Sequence, residues 1–227
     1  MNIRKVINRL IIESEIEDIQ KDCSDWLDKN YPIFYRGINH RGDESKVIDI
    51  SKFPGMINRK PKDTNPMLDK LTEFIREATN DECISRRDAT FAMMEKFTGY
   101  GTSYIFVPCN GYNFFTCTTV NDYFTATNIQ FYDLDDDEKL LLNKYMDKKD
   151  YKTMVEQLEV YEAKSALKLV HDIKEYWDNM IGDTIIINFE SPTSDNDVPN
   201  KRKEYLFYCP NGYEANRLSR KPFPHCP

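Results

Sequence analysis

Arg36 is the first residue whose type and position suggest chemistry. It follows the apolar run Ile33-Phe34-Tyr35 and is followed directly by Gly37. An arginine on the edge of a strand is usually a solvated cation. An arginine directed into a cleft offers instead a rigid fork of donors that binds phosphate or carboxylate. The rest of the sequence has to distinguish these two interpretations.

Two further polar groups lie at the ends of strand-like segments. Hydroxyl side chains close the stretch FFTCTTVND, at Thr116, Thr118 and Thr119. Glu204 opens the stretch EYLFYC, directly after a loop rich in Ser, Pro, Asn and Asp. Each group also has a structural interpretation, because threonine is a good β-former and Glu204 is compatible with a charged residue at a strand start. Their significance therefore depends on their order along the chain.

The order of Arg36, the threonine cluster and Glu204 resembles the R–S–E class of ADP-ribosyltransferases. In that family an arginine closes the first core strand, a later strand carries a Ser-Thr-Ser motif, and a mobile loop presents a catalytic glutamate. The stretches YRG, RKPKDT, RRDATF, YGTSYIF and EYLFYC are also similar to bacteriophage proteins with that fold. The resemblance covers roughly residues 31–125 and 183–213.

The resemblance implies one ADP-ribosyltransferase-like domain over residues 1–227. Its fold class would be α+β, with a split, mainly antiparallel β-sheet core of the ADP-ribosyltransferase type. N-terminal helices and a helical insertion at about 133–180 would accompany this core.

NAD is the substrate that the resemblance implies. Cleavage of the nicotinamide–ribose bond develops oxocarbenium character, as in glycoside hydrolysis. Glu204 would be the catalytic carboxylate that binds the ribose 2′-OH and stabilises this positive charge. Arg36 would bind phosphate, and Gly37 would let the backbone approach the ligand.

Three more residues receive roles from the same resemblance. Thr118 would hold Glu204 by a hydrogen bond, and Tyr104 or Tyr123 would stack on the nicotinamide. The family's Ser-Thr-Ser motif is replaced here by TCTT, so the choice of hydroxyl stays open. In family members that modify arginine, a second Glu or Gln stands two residues before the catalytic glutamate, where this chain has Arg202.

The function predicted from these residues is mono-ADP-ribosyl transfer from NAD to a host macromolecule, either a protein or a nucleic acid. The basic run Lys201-Arg202-Lys203 beside Glu204 favours an acidic or nucleic-acid acceptor. The alternative is a non-catalytic phage protein that binds a nucleotide or a protein on the same fold. A structural phage component with an apolar assembly surface is a third possibility.

Composition argues against several other classes of protein, among them metalloproteins and membrane-spanning proteins. The net charge of −7 argues against binding nucleic acid by bulk electrostatics. Three scattered histidines and six cysteines without a C-x-x-C pair predict no metal site. No segment approaches the ~20 apolar residues of a membrane span. The sequence has no recognisable signal peptide, which predicts reduced cysteines and a cytoplasmic protein, located in the host cytoplasm if a phage encodes it.

Several secondary-structure elements follow from periodicity and caps. Helices are predicted over much of the first thirty residues, over 66–79, from a Ser85 cap through RRDATFAMMEKF, and over 151–180. Asp133 to Asp137 fit a helix N-terminus better than a calcium loop, because the central Gly and the final Glu are missing. Strands are predicted at YPIFYRG, TSYIFVP, YNFFTCTTV, TIIIN and EYLFYC, with CNG as a hairpin turn. Residues 39–64 are predicted to be a loop, and the C-terminal residues an irregular tail.

Overall fold

The computed structural model describes residues 20–29, 31–38, 50–53, 64–94, 102–120, 122–182 and 204–217. The chain divides into two compact units. Unit 1 comprises residues 1–56, 89–114 and 183–227, and unit 2 comprises residues 57–88 and 115–182. The predicted helical insertion at about 133–180 falls within unit 2.

The described residues form helices and antiparallel strands, which confirms the α+β class. The helices are α1 (Ser24–Asp28), α2 (Pro66–Thr79), α3 (Tyr123–Tyr132), α4 (Asp136–Lys148), α5 (Tyr151–Val160) and α6 (Lys164–Asp178). The strands are β1 (Phe34–Ile38), β2 (Ile50–Phe53), β3 (Thr90–Ala92), β4 (Thr102–Pro108), β5 (Asn113–Cys117), β6 (Met180–Gly182), β7 (Tyr205–Tyr208) and β8 (Tyr213–Arg217).

Unit 1 contains a four-stranded antiparallel sheet in the order β1-β4-β8-β2. Strand β4 lies between β1 and β8, and its residues from Ser103 to Pro108 are all buried. Burial on both faces accounts for the unbroken apolar run in TSYIFVP. Strand β3 pairs antiparallel with β7, and a bridge between Tyr35 and Met93 joins the end of β3 to β1.

An aromatic cluster forms the core of unit 1. The Trp26 side chain of α1 is fully buried, and its ring lies 5.6 Å from Phe34 of β1 and 5.7 Å from Phe207 of β7. Both contacts are edge-to-face, the arrangement that aromatic quadrupoles favour. The packing of Trp26 against Phe34 and Phe207 therefore anchors the short helix α1 in the core.

Two Asn-Gly-Tyr turns pair with each other in unit 1. Gly111 and Gly212 adopt φ angles of 82° and 88°, which glycine tolerates without strain. The side chain of Asn211 donates to the carbonyl of Asn110 at 2.8 Å. The first turn does not close the predicted hairpin, because β4 pairs with β1 and β8 while β5 pairs with β6. The second turn leads into β8, a strand that the sequence analysis missed.

Two helices of unit 2 start where the sequence predicts, α2 at Pro66 and α4 within the acidic run before Glu138. Asn65 accepts from the backbone N–H of Met67 at 2.9 Å, with Pro66 in the first turn of α2. Asp135 and Glu138 form a capping box at the start of α4. The helix N-terminus interpretation is thus confirmed for Asp135, Asp136 and Asp137, whereas Asp133 lies at the C-terminal cap of α3.

One helix prediction was wrong and another was confirmed only in part. Ser85 does not cap a helix: its hydroxyl accepts from the backbone N–H of Arg87 at 3.1 Å within a turn, and Thr90–Ala92 is recruited as strand β3 by pairing with β7. The helix predicted over 151–180 is interrupted between α5 and α6, where Glu162 has a φ of 54°. The loop prediction for 39–64 was wrong at β2, which pairs with β8.

Several predicted segments lie outside the described residues. They are the helix before residue 20, the strand TIIIN, the polar loop that precedes Glu204 and the tail after residue 217. Among the residues that are described, no helix is both long enough and apolar enough to cross a membrane.

Candidate functional site

The position of Arg36 is set by the pairing of β1 with β4. Arg36 lies directly opposite Tyr104, and Phe34 lies opposite Phe106. Directly opposed residues share a face of the sheet. Because Phe34 and Phe106 are fully buried, the face that carries Arg36 is the one that packs on the aromatic core. Arg36 is therefore directed inward, rather than being a solvated cation at a strand end.

Two groups hold the guanidinium of Arg36. Its Nη1 donates to the backbone carbonyl of Phe91 at 2.9 Å, and its central carbon lies 5.4 Å from the centre of the Tyr213 ring. Its Nε is buried and has no hydrogen-bond partner among the described residues. A buried donor of a charged group normally has a partner, so the guanidinium retains capacity to bind an acceptor.

Glu204 directly precedes β7 and is half-buried. The next residue, Tyr205, pairs with Ala92 of β3. Arg36 bonds to the neighbouring residue of the same strand, Phe91. The predicted phosphate ligand and the predicted catalytic carboxylate therefore both lie beside β3, within one unit.

Other buried polar atoms near the same core also lack partners among the described residues. Two of them are the hydroxyls of Thr90 on β3 and Tyr205 on β7. Thr90 lies opposite Phe207, and the Tyr205 ring is 4.8 Å from Phe34, so both side chains are on the core-facing side of their strands. Burial raises the pKa of Tyr205 well above its usual range, which keeps the phenol protonated as a donor.

Gly37 and Tyr104 complete the predicted residues of unit 1. Gly37 pairs with Ser103 of β4, the strand that also carries Tyr104. The Tyr104 side chain is only 1 % exposed. Its ring is therefore part of the packed interior, and stacking on a nicotinamide would require it to be uncovered.

Thr118 and Tyr123 belong to unit 2. The Thr118 hydroxyl lies 3.4 Å from the carbonyl of Asn179, which also accepts from the Thr118 backbone N–H at 3.0 Å. The Tyr123 hydroxyl contacts that of Thr72, and the guanidinium carbon of Arg86 lies 4.4 Å from the Tyr123 ring centre. Burial raises the pKa of Tyr123 above its usual range. The roles given to Thr118 and Tyr123 stay predictions.

Sequence reasoning missed four contributors to this site: Phe91, Thr90, Tyr205 and Tyr213. The carbonyl of Phe91 has no sequence signal, because any residue supplies one. Thr90 lay in a segment predicted to be helical. Tyr213 follows the second Asn-Gly pair, and that turn signal, repeated from residues 110–112, was the available indication of a strand after it.

The described residues contain no group of three or more His, Cys, Asp or Glu side chains arranged to hold a metal ion. The side chains that the site offers for chemistry are an inward arginine, a carboxylate at a strand start and two buried hydroxyls.

Comparisons with protein-family models, with curated proteins and with solved structures found no match to this chain.

Proposed function

We propose that this chain transfers a single ADP-ribosyl group from NAD to a host macromolecule, using a split-sheet fold of the ADP-ribosyltransferase type. The observation that supports it best is the relation of two residues to β3. Arg36 donates to Phe91 of that strand, and Glu204 precedes the residue that pairs with Ala92. A phosphate-binding fork and a carboxylate beside one strand suit a substrate that carries both a pyrophosphate and a reacting ribose.

In this proposal the charged groups divide the work. The Nε of Arg36, once uncovered, binds a pyrophosphate oxygen, while its Nη1 stays fixed on the Phe91 carbonyl. The carboxylate of Glu204 accepts from the ribose 2′-OH and stabilises the oxocarbenium as the C1′–N bond breaks. Nicotinamide leaves as a neutral molecule. The acceptor then attacks C1′ and loses its proton.

The acceptor is proposed from sequence alone. Arg202 stands where arginine-modifying members of the family have a second Glu or Gln, and Lys201 and Lys203 flank it. A basic run next to Glu204 in the sequence favours a negatively charged acceptor. We propose an acidic protein segment or a nucleic acid, and labelling of host lysate fractions with radiolabelled NAD distinguishes them by protease and nuclease sensitivity.

The test of the activity is the release of nicotinamide from NAD by the purified chain, with and without bacterial lysate. Glu204→Gln keeps the size of the side chain and removes its charge, and Glu77→Gln, on the exposed side of α2, is the matched control. Loss of about 100-fold or more is expected for the first variant alone, the usual scale for a group that stabilises transition-state charge. Equal release by both variants would remove Glu204 from the mechanism.

A second candidate is a non-catalytic nucleotide- or protein-binding phage protein on the same fold. The burial of Tyr104 and Tyr123, at 1 % and 4 % exposure, favours it, because neither predicted nicotinamide platform presents a free ring. This candidate predicts no nicotinamide release. Thermal stabilisation by NAD or ADP-ribose that is lost in Arg36→Met would identify a nucleotide-binding protein. Absence of stabilisation by either compound would favour a protein-binding role.

A further inference from the structure

We propose that Cys23 and Cys109 form an oxidative modification site in unit 1, closing to a disulfide that fixes the α1 segment to the turn after β4. Their Sγ atoms are 4.0 Å apart, and both residues are buried. In the described structure neither is part of a disulfide. The inference does not depend on the proposed NAD chemistry.

The backbones that carry the two thiols are already joined. The N–H of Asn110, next to Cys109, donates to the carbonyl of Asp22, next to Cys23, at 2.7 Å. The Asn110 side chain accepts from the N–H of Asp25 at 2.9 Å and donates to the hydroxyl of Ser24 at 2.9 Å. These bonds hold the two segments in register, so closing the sulfur–sulfur gap requires side-chain rotation and a small shift rather than refolding.

A third thiol in the same core, Cys209, is an alternative disulfide partner for Cys109. Cys209 is buried near Cys109, and burial raises the pKa of the Cys209 thiol well above its usual range. A thiol that resists ionisation is a poor nucleophile. Cys109 has two candidate partners, Cys23 and Cys209, and its short sulfur–sulfur contact with Cys23 favours Cys23.

The oxidant we name is hydrogen peroxide. After local opening of the five-residue helix α1, one thiolate attacks a peroxide oxygen, the O–O bond breaks, and a sulfenic acid and water form. The second thiolate attacks the sulfenic sulfur, the S–O bond breaks, and the disulfide and a second water form. Two thiols lose two electrons and two protons, and one peroxide is reduced to two waters.

The experiment treats the reduced, full-length chain with peroxide, blocks remaining thiols with iodoacetamide in denaturant, and maps the peptides without reductant. The expected result is a linked pair of peptides carrying Cys23 and Cys109, lighter by two hydrogens and reversed by dithiothreitol. Cys83→Ser and Cys209→Ser should retain this product, and Cys23→Ser should abolish it. The wild-type map alone decides the linkage if a variant fails to fold.

A second readout is thermal stability under non-reducing conditions. Cross-linking residues so far apart in sequence restricts the unfolded chain, and an increase in Tm on the order of 5 °C is expected for the oxidised wild type. The same treatment of Cys23→Ser should leave Tm unchanged. A Cys109–Cys209 link, sulfonic acids without any link, or linkage only in denaturant would each overturn the proposal.

Discussion

The guanidinium carbon of Arg36 lies 5.4 Å from the centre of the Tyr213 ring. Arg36 comes from β1 and Tyr213 begins β8, two strands that flank β4 in the sheet. Tyr213 is buried, and burial raises its pKa while the positive charge of Arg36 lowers it. The ring therefore supports the inward arginine as a neutral aromatic surface.

We predict an energetic coupling between these two residues. A cation over a desolvated aromatic ring contributes ~0.5–2 kcal/mol, so a double-mutant cycle of Arg36→Met and Tyr213→Leu should give a coupling energy of about 1 kcal/mol in urea unfolding. The cycle built with Tyr213→Phe keeps the ring and should give a smaller coupling. Strict additivity in the Leu cycle would show that the contact contributes no stability.

A second prediction concerns the pH dependence of stability through Cys83 in unit 2. Burial raises the pKa of this thiol from 9.0 to about 12, against the opposing charge of Arg76. The unfolded chain therefore loses the proton near pH 9 and the folded chain only near pH 12. The stabilisation is complete below pH 9 and is lost as the pH rises towards 12.

The measurement is urea unfolding of the wild type and Cys83→Ser at pH 7 and pH 10. A group with these two pKa values costs on the order of 1 kcal/mol of unfolding free energy at pH 10. The variant should lose that much less between the two pH values, although its absolute stability at pH 7 is lower. Identical losses in both proteins would mean that Cys83 titrates normally in the folded state.

Local signals predicted the helices of unit 2 better than the strands of unit 1. Pro66 marks a helix start within its own few residues, as do Asp135 and Glu138, so α2 and α4 follow from the sequence. Strand β3 has only three residues, and pairing with a distant segment makes it a strand. The interruption between α5 and α6 at Glu162 could not be predicted, because no glycine or proline lies there in the sequence.

The candidate site shows the same division. Residue type and order predicted Arg36 and Glu204 as site residues, which stays a prediction, and the strand predictions for β1 and β7 were confirmed. Which way Arg36 points depends on its register with Tyr104, and its acceptor is the carbonyl of Phe91. Neither the orientation of Arg36 nor its acceptor can be predicted from adjacent residues in the sequence, because strand register and backbone contacts are set by tertiary pairing.

A third prediction distinguishes the adjacent arginines Arg86 and Arg87. Arg86 donates to the hydroxyl of Tyr176 at 2.7 Å and lies over the Tyr123 ring. Arg87 makes an ion pair with Asp69 at 2.7 Å, but its side chain is 37 % exposed. Desolvated contacts contribute more than solvent-screened pairs.

We therefore expect Arg86→Met to reduce the unfolding free energy by about 2 kcal/mol and Arg87→Met by about 1 kcal/mol or less. Unfolding in urea at low and at 0.5 M salt measures both. Added salt should reduce the Arg87 effect more than the Arg86 effect. A larger loss of unfolding free energy in Arg87→Met than in Arg86→Met would contradict this prediction.

The last prediction concerns Glu138, which caps two helices at once. Its Oε2 accepts from the N–H of Asp135 at 3.3 Å in the capping box of its own helix, α4. Its Oε1 accepts from the N–H groups of Ser165 and Ala166, at 3.1 and 3.0 Å, in the first turn of α6. The residue at the cap position of α6 is Ala163, which makes no side-chain cap bond. A carboxylate from another helix thus supplies what the local sequence lacks.

Glu138→Ala should lower the unfolding free energy by about 3 kcal/mol, because it removes a cap from each helix and leaves the buried N–H of Ala166 unpaired. Glu138→Gln keeps one acceptor oxygen and should cost about 1 kcal/mol through the lost charge. Asp137→Ala changes the exposed neighbouring acid and should stay within about 0.5 kcal/mol of the wild type.

Native-state hydrogen exchange locates the effect within the molecule. In Glu138→Ala the amides of Ser165 and Ala166 should exchange faster relative to the global opening rate, because they lose their acceptor. In Asp137→Ala these two amides should keep their protection. Unchanged protection in Glu138→Ala would mean that the first turn of α6 draws no stability from the carboxylate, and its packing through residues such as Leu169 and Ile173 would then account for the helix.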